Sequence, residues 1–359
     1  MFPFATGVYS TVARQSSATM MEYVCFDAPT KTLSLKRGPI PKPGPNDVLV
    51  RVAYSGVCGS DLHVIAGNMP CKHWEPLTMG HEFSGAIEAI GANVTVFKVG
   101  QKVIVDPNSG CNLCSDCHSG HYQLCLKGGV NNTIGMVRNG GWSTHCIVPE
   151  TQVYAMPDSV DASLAALTEP ISCMAHGWDM LSPIHVGQRV LINGAGIIGL
   201  LWTCSLHLHG LRDTVTVCET QEKRKIIVRK LGLGYKVCGP ADLKDKEFDV
   251  IIDCSGNGPA IEATIPLLAR GGKYGIFGIA SPDTQVSINP YQMYKKEIQI
   301  CSVNINPYTF PKAIGLLQAM NDTYLSFEKL GIGIYKLSQY KEALDALKRG
   351  EISKAMFKM

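Results

Sequence analysis

A glycine-rich turn between an apolar strand and an apolar helix is the feature that most constrains this fold. The turn reads GAGIIG (194–199) and directly follows the strand-like run RVLIN (189–193). In a strand–turn–helix unit, Gly194 permits the tight turn, Gly196 lets the backbone approach a pyrophosphate, and Gly199 lets helix and strand pack closely. The phosphates would lie on the helix N-terminus, where free N–H groups and the helix dipole favour anions. The context therefore predicts a dinucleotide site rather than a purely structural turn.

The next predicted strand ends in an acidic residue, as a dinucleotide site requires. Glu219 closes TVTVCE (214–219), 25 residues after Gly194. A carboxylate at this point accepts hydrogen bonds from the ribose 2′-hydroxyl and repels a 2′-phosphate, so NAD is favoured over NADP. Lys223 and Arg224 follow closely and could soften that preference.

Strand-like and helical segments continue to alternate through the second half of the chain. The charged helical stretch QEKRKIIVRKLGL (221–233) is followed by strand-like runs that include DVIIDCSG (249–256) and IQICSVN (298–304). This alternation predicts a doubly wound parallel sheet. From Tyr23 to Tyr154, by contrast, short strand-like runs separated by Gly, Pro and Asn turns predict a distorted β-barrel or sandwich.

Size and charge exclude several classes of protein. With 359 residues, 45% of them hydrophobic, the chain is long enough for two domains with their own cores. A net charge of +3 is too balanced to indicate a nucleic-acid or anionic-membrane partner. No apolar run approaches the roughly 18 residues of a membrane-spanning helix. The 14 cysteines and the lack of a secretory signal favour a reducing compartment, so we expect a cytoplasmic protein.

Residues 1–21 are expected to form an N-terminal extension. They contain no acidic residue, and Arg14 is their only basic residue. This composition leans toward a mitochondrial transit peptide. The alternatives are a disordered tail and an upstream start that precedes Met20 or Met21.

Four cysteines lie within the short stretch CNLCSDCHSGHYQLC (111–125). Their spacing, C-x2-C-x2-C-x7-C, suits a closed structural zinc site of four thiolates with Zn–S bonds of ~2.3 Å. A disulfide framework lacks the oxidising compartment that it needs. A nucleic-acid-binding zinc finger lacks its basic stripe, since Lys127 is the cation nearest the loop. The residues that we expect to hold a structural zinc, as scaffold, are Cys111, Cys114, Cys117 and Cys125.

Two further motifs carry residue types that bind metals. Cys58 lies in GVCGSD (56–61), and His81 and Glu82 lie in GHEFSG (80–85). On spacing alone these three residues are weak candidates, because a lone Cys or His more often packs in a core.

The motifs GVCGSD, GHEFSG, ALTEP (166–170) and GAGIIG, with the four-cysteine stretch, occur in one order along the chain. Together they resemble the zinc-containing medium-chain alcohol and polyol dehydrogenases, especially the sorbitol dehydrogenase branch, from about residue 22 to residue 359. The resemblance implies a mixed α/β and β architecture, in which a GroES-like catalytic domain is split in sequence around a Rossmann domain. The expected bounds are 1–21 for the N-terminal extension, 22–165 for the GroES-like domain, 166–304 for the Rossmann domain and 305–359 for the C-terminal return to the catalytic domain.

By this resemblance, Cys58, His81 and Glu82 hold a catalytic zinc, and Glu169 in ALTEP matches a carboxylate beside them. Alcohol dehydrogenases outside the polyol branch carry a cysteine at the position of Glu169. Zn²⁺ with the Cys58 thiolate and the Glu82 carboxylate is formally neutral, which leaves the metal able to lower the pKa of a bound alcohol. A second carboxylate would make the ligand set anionic. We therefore place Glu169 within hydrogen-bond reach of the zinc-bound water or substrate, or exchanging into the ligand set.

The resemblance also implies how the proton and the hydride move. Ser60 is placed to accept the proton of the substrate hydroxyl, and His63 to pass it toward solvent or the ribose. A turn-capping serine and a solvated loop histidine are the alternative roles. The hydride then goes to the nicotinamide of NAD. The residues expected to contact this cofactor, besides the three glycines and Glu219, are Ile198, Arg224, Phe277, Gly278, Ile279, Val303, Asn304 and Ile305.

The chain departs from the pattern common in sorbitol dehydrogenases at three positions. Ile305 and Asn306 replace an Arg-Tyr pair, and Val64 replaces a tyrosine. Fewer polar partners should weaken the hold on a long hexitol, because buried hydroxyl groups need hydrogen bonds. We expect a polyol of the sorbitol, arabinitol or xylitol type, oxidised to a ketose, with a secondary alcohol, a diol or threonine as alternatives. The remote alternative is a non-catalytic scaffold protein that binds NAD and zinc.

The resemblance further suggests a homotetramer or a homodimer. It also predicts different consequences for changes at the two metal sites. Glu82→Ala should abolish turnover with the fold preserved, whereas Cys114→Ser should first lose thermal stability or assembly.

Overall fold

The computed structural model describes residues 20–68 and 76–359. Nearly all of the expected N-terminal extension lies outside the described residues, and so do the alternative roles given for it. The structure describes a single chain, so the expected homotetramer or homodimer stays a prediction. The domain bounds proposed above stay predictions as well.

Strands form three sheets in the described part of the chain. Their bounds are β1 Met20–Asp27, β2 Thr32–Pro39, β3 Asp47–Gly56, β4 Leu77–Thr78, β5 Phe83–Ile90, β6 Lys102–Val105, β7 His145–Pro149, β8 Val153–Ala155, β9 Val190–Asn193, β10 Val215–Cys218, β11 Lys236–Cys238, β12 Phe248–Asp253, β13 Leu268–Ile276, β14 Gln299–Ser302, β15 Ile332–Lys336 and β16 Lys354–Lys358.

Helices connect and cover these sheets. Their bounds are α1 Gly59–Ala66, α2 Ser115–His118, α3 Ala162–Ala165, α4 Thr168–Leu181, α5 Ile197–Leu208, α6 Glu222–Lys230, α7 Gly258–Thr264, α8 Pro290–Lys296, α9 Phe310–Tyr324, α10 Phe327–Leu330 and α11 Tyr340–Lys348. Within the described ranges, none of them has both the length and the apolar character that crossing a membrane requires.

A six-stranded parallel sheet has the order β11-β10-β9-β12-β13-β14. All residues of β9 and β10 are buried, as expected for a parallel sheet whose two faces are both covered. The order of successive strands reverses at β9, and such sheets bind ligands in the crevice at the carboxyl ends of the strands on either side of the reversal. The predicted doubly wound parallel sheet is confirmed, and GAGIIG directly follows β9 at this crevice.

A seven-stranded sheet has the order β15-β16-β3-β5-β6-β8, with β7 paired to β3. One of its core clusters contains Val48, Val50 and Val52 of β3 and Phe83 and Ile87 of β5. The strand β16, almost at the end of the chain, pairs antiparallel with β3. The chain therefore returns to the sheet in which its first part lies, as the resemblance implies.

One hydrophobic core joins the two parts of the chain. It includes Ile104 of β6 and Met356 of β16 together with Leu200 of α5 and Phe310 of α9. Helix α4 lies at this junction with most of its residues buried, and it packs against α5 and α9. Because a close-packed core resists rearrangement, the space between the two parts has defined walls. Glu169 lies in the first turn of α4 and so in one of these walls.

Candidate active site

A cavity of about 300 Å³ lies where the two parts of the chain meet. Residues near β3, β5 and α4 line one side, and residues that follow the parallel strands line the other. The predicted site residues in this lining are Cys58, Ser60, His63, His81, Glu82, Glu169, Ile198, Phe277, Gly278, Ile279, Val303, Asn304 and Ile305.

Three candidate metal ligands meet in this lining. One ligand atom each of Cys58, His81 and Glu82 lie within 4.8 Å of one another. Strand pairing brings them together: Cys58 follows β3, the other two precede β5, and Gly56 N donates to Glu82 O at 2.7 Å where these strands pair. A thiolate, an imidazole and a carboxylate are typical zinc donors, and three protein ligands leave a fourth position open for a substrate oxygen.

The buried polar atoms of this group fit a metal ion. His81 is 4% exposed, and its Nδ1 has no hydrogen-bond partner, although Asp61 Oδ1, itself without one, lies 3.4 Å away. A carboxylate at one ring nitrogen orients a metal-binding histidine and leaves the other nitrogen for the ion. The second oxygen of Asp61 accepts a hydrogen bond from Cys58 N at 2.8 Å. Asp61 therefore contacts two of the three candidate ligands, Cys58 and His81. The donor atoms of Cys58, His81 and Glu82 together fit a zinc ion.

A fully buried lysine, which the sequence reasoning missed, lies behind the third candidate ligand. Lys354 Nζ pairs with Glu82 Oε2 and donates to Val57 O at 3.2 Å. Burial lowers the pKa of Lys354, but the charges of Glu82 and Cys58 raise it above its ordinary value, so the group stays a cation. Gly56 makes room for the pair, because a Cβ there would lie 2.1 Å from Glu82 Oε2. The lysine charge offsets that of Glu82 and so favours an acidic metal.

Glu169 lines the same cavity but is not part of the group of atoms within 4.8 Å. Its Oε1 accepts a weak hydrogen bond from Cys173 Sγ at 3.5 Å. Burial raises the pKa of Glu169 to about 7, and the charge of Glu82 acts in the same direction, while His81 and Lys354 oppose it. This position favours a role beside the metal over direct ligation.

Ser60 and His63 lie one helical turn apart on α1, which starts directly after Cys58. Ser60 is buried, His63 is half-buried, and both line the cavity. Their positions in the lining, just after Cys58 in the chain, are compatible with a proton relay, which stays a prediction.

The glycine-rich turn has the backbone of a dinucleotide site; its three glycines lie outside the cavity lining, whereas its Ile198 belongs to that lining. Gly194 has φ +104°, and a Cβ at Gly199 would lie 2.0 Å from Gly194 O, so neither position accepts a side chain. A Cβ at Gly196 would meet nothing within 4 Å, which leaves that face of the turn open to a ligand. Glu219 Oε2 accepts a hydrogen bond from Ala195 N at 2.8 Å. This hydrogen bond holds Glu219, the predicted acidic residue, against the glycine-rich turn.

Arg224 lies next to this carboxylate. Its Nη1 is 4.0 Å from Glu219 Oε2, and its Nε is buried without a hydrogen-bond partner. A guanidinium N–H in this position can meet a ribose hydroxyl or a 2′-phosphate. That Arg224 softens the preference for NAD over NADP set by Glu219 stays a prediction.

The four cysteines of the 111–125 stretch form a second ligand group. Their Sγ atoms all lie within 4.8 Å of one another, with Cys111 Sγ 4.0 Å from Cys117 Sγ. Tetrahedral zinc with bonds of ~2.3 Å separates sulfurs by about 3.8 Å, so the group fits zinc rather than disulfides. The backbone N–H of Cys111 contributes most to lowering the pKa of Cys125 to about 6, and Gly128 N donates to the same sulfur at 3.1 Å. Four sulfurs would complete the tetrahedral coordination of a zinc ion and leave no position on it for a substrate.

A buried chain of polar side chains, which the sequence reasoning did not predict, borders the cavity. Asn108 and Thr133 line the cavity, and Thr133 Oγ1 donates to Asn108 Oδ1 at 2.6 Å. Asn108 Nδ2 donates to Asn306 Oδ1 at 2.7 Å, and Asn306 Nδ2 donates to Asp106 Oδ1 at 3.0 Å. The members come from three distant stretches of sequence, so no local pattern marks them.

Asp106 should make the stability of the protein depend on pH. Burial raises its pKa to about 7, against the opposing effect of the hydrogen bonds from Asn306 and Asn108, whereas the unfolded value is about 4. The folded state binds this proton more tightly, so the contribution of Asp106 to stability falls as pH rises from about 4 to about 7. Asp106→Asn keeps an acceptor for Asn306 and removes the titration. The melting temperature of the variant, relative to that of the native protein, should therefore rise between about pH 5 and about pH 8. If the difference in melting temperature stays constant over this range, Asp106 is not the titrating group.

Comparisons with known proteins agree with this geometry. The family model described as the alcohol dehydrogenase GroES-like domain matches residues 44–158, and the one described as the glucose dehydrogenase C-terminus matches residues 162–356. The D-altritol 5-dehydrogenase of Agrobacterium fabrum is 33% identical over 76% of this chain and 81% of its own length. The L-threonine 3-dehydrogenase of Rhizobium etli is 33% identical over 76% of this chain and 80% of its own length.

A solved structure extends the likeness to the whole fold. A protein of Sinorhizobium meliloti described as a zinc-binding dehydrogenase, with NADP bound, matches with a TM-score of 0.84 and 28% identity, over 95% of this chain and 100% of the other. The second family model alone matches more than half of the chain. The predicted fold class, a GroES-like domain with a Rossmann domain, is confirmed. The chain belongs to the zinc-containing medium-chain alcohol and polyol dehydrogenase family.

Proposed function

We propose that the protein oxidises a secondary hydroxyl of a neutral polyol or diol to a ketone, with NAD as the hydride acceptor. One observation carries the proposal: Cys58, His81 and Glu82 line the same cavity as Ile198 and residues 277–279, which follow β9 and β13. A dinucleotide bound at the carboxyl ends of parallel strands can place its nicotinamide end there. The alcohol carbon and the hydride acceptor would then be in contact.

The candidate ligands prepare the hydroxyl for oxidation. Cys58, His81 and Glu82 would hold the zinc ion, which when bound acts as a Lewis acid and lowers the pKa of an alcohol. Lys354 holds the Glu82 carboxylate in place and offsets its charge. The formally neutral ligand set already leaves the ion able to lower the pKa of an alcohol, and the Lys354 cation would increase that effect.

The remaining side chains handle the proton. Ser60 Oγ accepts the proton of the substrate hydroxyl, and His63 passes it toward solvent. Glu169 faces the same cavity with a pKa of about 7, so near neutral pH it can accept a hydrogen bond from the substrate or hold a proton itself. The nicotinamide, when bound, takes the hydride.

The chemistry of the cavity favours a neutral substrate. The relatives that oxidise D-altritol and L-threonine are equally similar to this chain, so identity does not choose between them. In the described part of the chain, no arginine or lysine lines the cavity, so none of these described residues would pair with the carboxylate of threonine as a lysine or arginine would, and burying that carboxylate unpaired is unfavourable. Asn108 and Thr133 can form hydrogen bonds with the hydroxyl groups of a substrate, while Val130 and Met136 form an apolar part of the cavity wall.

A screen of NAD and NADP reduction over arabinitol, xylitol, sorbitol, altritol, a butanediol and threonine tests the proposal. We expect kcat/KM for the best polyol or diol to exceed that for threonine at least about tenfold, because of the unpaired carboxylate. Ser60→Ala separates proton transfer from metal binding. It should lower kcat about 100-fold, because the proton acceptor is lost, with the zinc content unchanged. Threonine as the best substrate would overturn the assignment of a neutral substrate. The absence of turnover with every alcohol would instead support the scaffold protein.

A further inference from the structure

The four-cysteine lobe (residues 111–125) contacts a segment that forms part of the cavity wall. This cavity segment, residues 303–309, follows β14, and its Val303, Asn304 and Ile305 line the cavity. Ile305 also packs against the buried cluster of the lobe, which contains Cys117 and Cys125. The side chain of Ile305 therefore contacts both the lobe that contains the candidate structural zinc group and the cavity.

Tyr122 makes the central contact between the lobe and the cavity segment. Its Oη donates a hydrogen bond to Asn306 O at 3.2 Å, and its ring meets the ring of Tyr308 edge-on, with the centroids 5.0 Å apart. The next residue of the lobe adds a third contact, because Asn304 Nδ2 donates to Gln123 O at 3.0 Å. The contacts reach the cavity segment on both sides of Ile305.

The backbone of the cavity segment needs such support. Ile305 has φ +46° and Tyr308 has φ +55°, both in the left-handed region. A β-branched residue rarely adopts this conformation, and it persists only where the surroundings over-determine it. If the contacts from Tyr122 were weakened, the segment could relax toward ordinary backbone conformations, and the side chain of Ile305 would leave its place in the wall.

We propose that Tyr122 is a positioning residue, through which the four-cysteine lobe holds Ile305 in the cavity wall and so sets the shape of the cavity. The inference rests on the proposed function, since it concerns the same cavity. The segment has a second anchor, because the Asn306 side chain is bonded to Asp106 and Asn108. Loss of the Tyr122 hydroxyl should therefore loosen the segment without releasing it. The apparent affinity for substrate then falls with the fraction of molecules that keep the competent wall, so the effect appears in KM.

Tyr122→Phe removes the hydroxyl and keeps the ring, and Tyr340→Phe is its matched control. Tyr340 Oη donates to a backbone carbonyl, Leu33 O, at 3.0 Å, in a region that does not line the cavity. Hydrogen–deuterium exchange of the full chain, without substrate or cofactor, should be about fivefold faster over residues 303–309 in Tyr122→Phe, the effect of one neutral hydrogen bond. The control should leave exchange over 303–309 unchanged.

Steady-state kinetics with the best alcohol from the screen provide the second measurement. Tyr122→Phe should raise KM, by up to about fivefold as the limit set by a fivefold larger open fraction, and leave kcat unchanged, while the control changes neither. A merely structural role would lower the melting temperature and the active fraction and leave KM as it is. Unchanged exchange over 303–309, an equal change in both variants, or an unchanged KM would overturn the proposal. The exchange is measured without substrate, so its result is separate from failure of the proposed function, which would appear as a native protein that oxidises no alcohol.

Discussion

Glu82→Ala is expected to lose a large share of the protein's stability together with its turnover. The substitution removes a candidate metal ligand and the ion-pair partner of the fully buried Lys354, which keeps the hydrogen bond to Val57 O and the weaker influence of the Cys58 and Glu169 charges. Removing one partner of a buried ion pair costs about 3–5 kcal/mol, a large share of the ~5–15 kcal/mol that keeps a typical protein folded. Chemical denaturation and an activity assay measure the two effects. Because Lys354 is buried beside Glu82, we expect this change to weaken the fold, which differs from the expectation drawn from the sequence alone.

The matched control is the double variant Glu82→Ala/Lys354→Met. It removes both charges and fills the lysine space with an apolar side chain, a replacement that is often neutral or stabilising for buried ion pairs. The free energy of unfolding should return toward the native value, while oxidation stays abolished because the candidate ligand is still missing. If the double variant unfolds as readily as Glu82→Ala, the stranded lysine is not the cause of the instability.

Cys114→Ser is expected to affect the fold before it affects the chemistry. The four-sulfur group is closed, so its zinc contributes folding free energy directly, and loss of one thiolate should remove at least about 3 kcal/mol of it. Calorimetry should show a lower melting temperature, and metal analysis should show one zinc fewer per chain. Turnover by the molecules that remain folded should fall much less than their number.

Cys58→Ser is the counterpart for the catalytic group, since it makes the same thiol-to-hydroxyl change at the other candidate site. It should also lose one zinc per chain, yet it should lose turnover almost completely with a smaller change in melting temperature. The difference follows because three protein ligands with an open position are suited to substrate, whereas four sulfurs are suited to structure. Equal loss of fold in Cys58→Ser and Cys114→Ser would contradict the division into two kinds of metal site.

Local patterns were sufficient to predict the parallel sheet and its ligand-binding turn. RVLIN and GAGIIG lie within a dozen residues of one another, and the structure has β9 at Val190–Asn193 and α5 at Ile197–Leu208. Strand character, glycine positions and the start of a helix are all encoded at that range. The same holds for the cysteine spacing, whose four sulfurs come together within one short stretch.

The contacts that tune the site could not be predicted in this way, because they depend on pairing between distant segments. Lys354 reaches Glu82 because β16 pairs with β3, with Met356 opposite Gly56. A lysine in a short terminal strand would normally be taken as exposed, and nothing nearby in sequence marks it as an ionic partner. Likewise, the sequence gives no reason to expect more of Tyr122 than packing inside the four-cysteine lobe. Its contacts with Asn306 and Tyr308 of the cavity segment appear only in the folded structure.

Anomalous diffraction at the zinc absorption edge, from crystals of the purified protein, would show whether each chain holds a catalytic zinc besides a structural one. We expect two peaks per chain. One peak should lie among the four lobe sulfurs. The other should lie between Cys58, His81 and Glu82, where a non-protein ligand completes the coordination of the catalytic zinc. A single peak confined to the lobe sulfurs, in a protein that oxidises alcohols, would contradict the account.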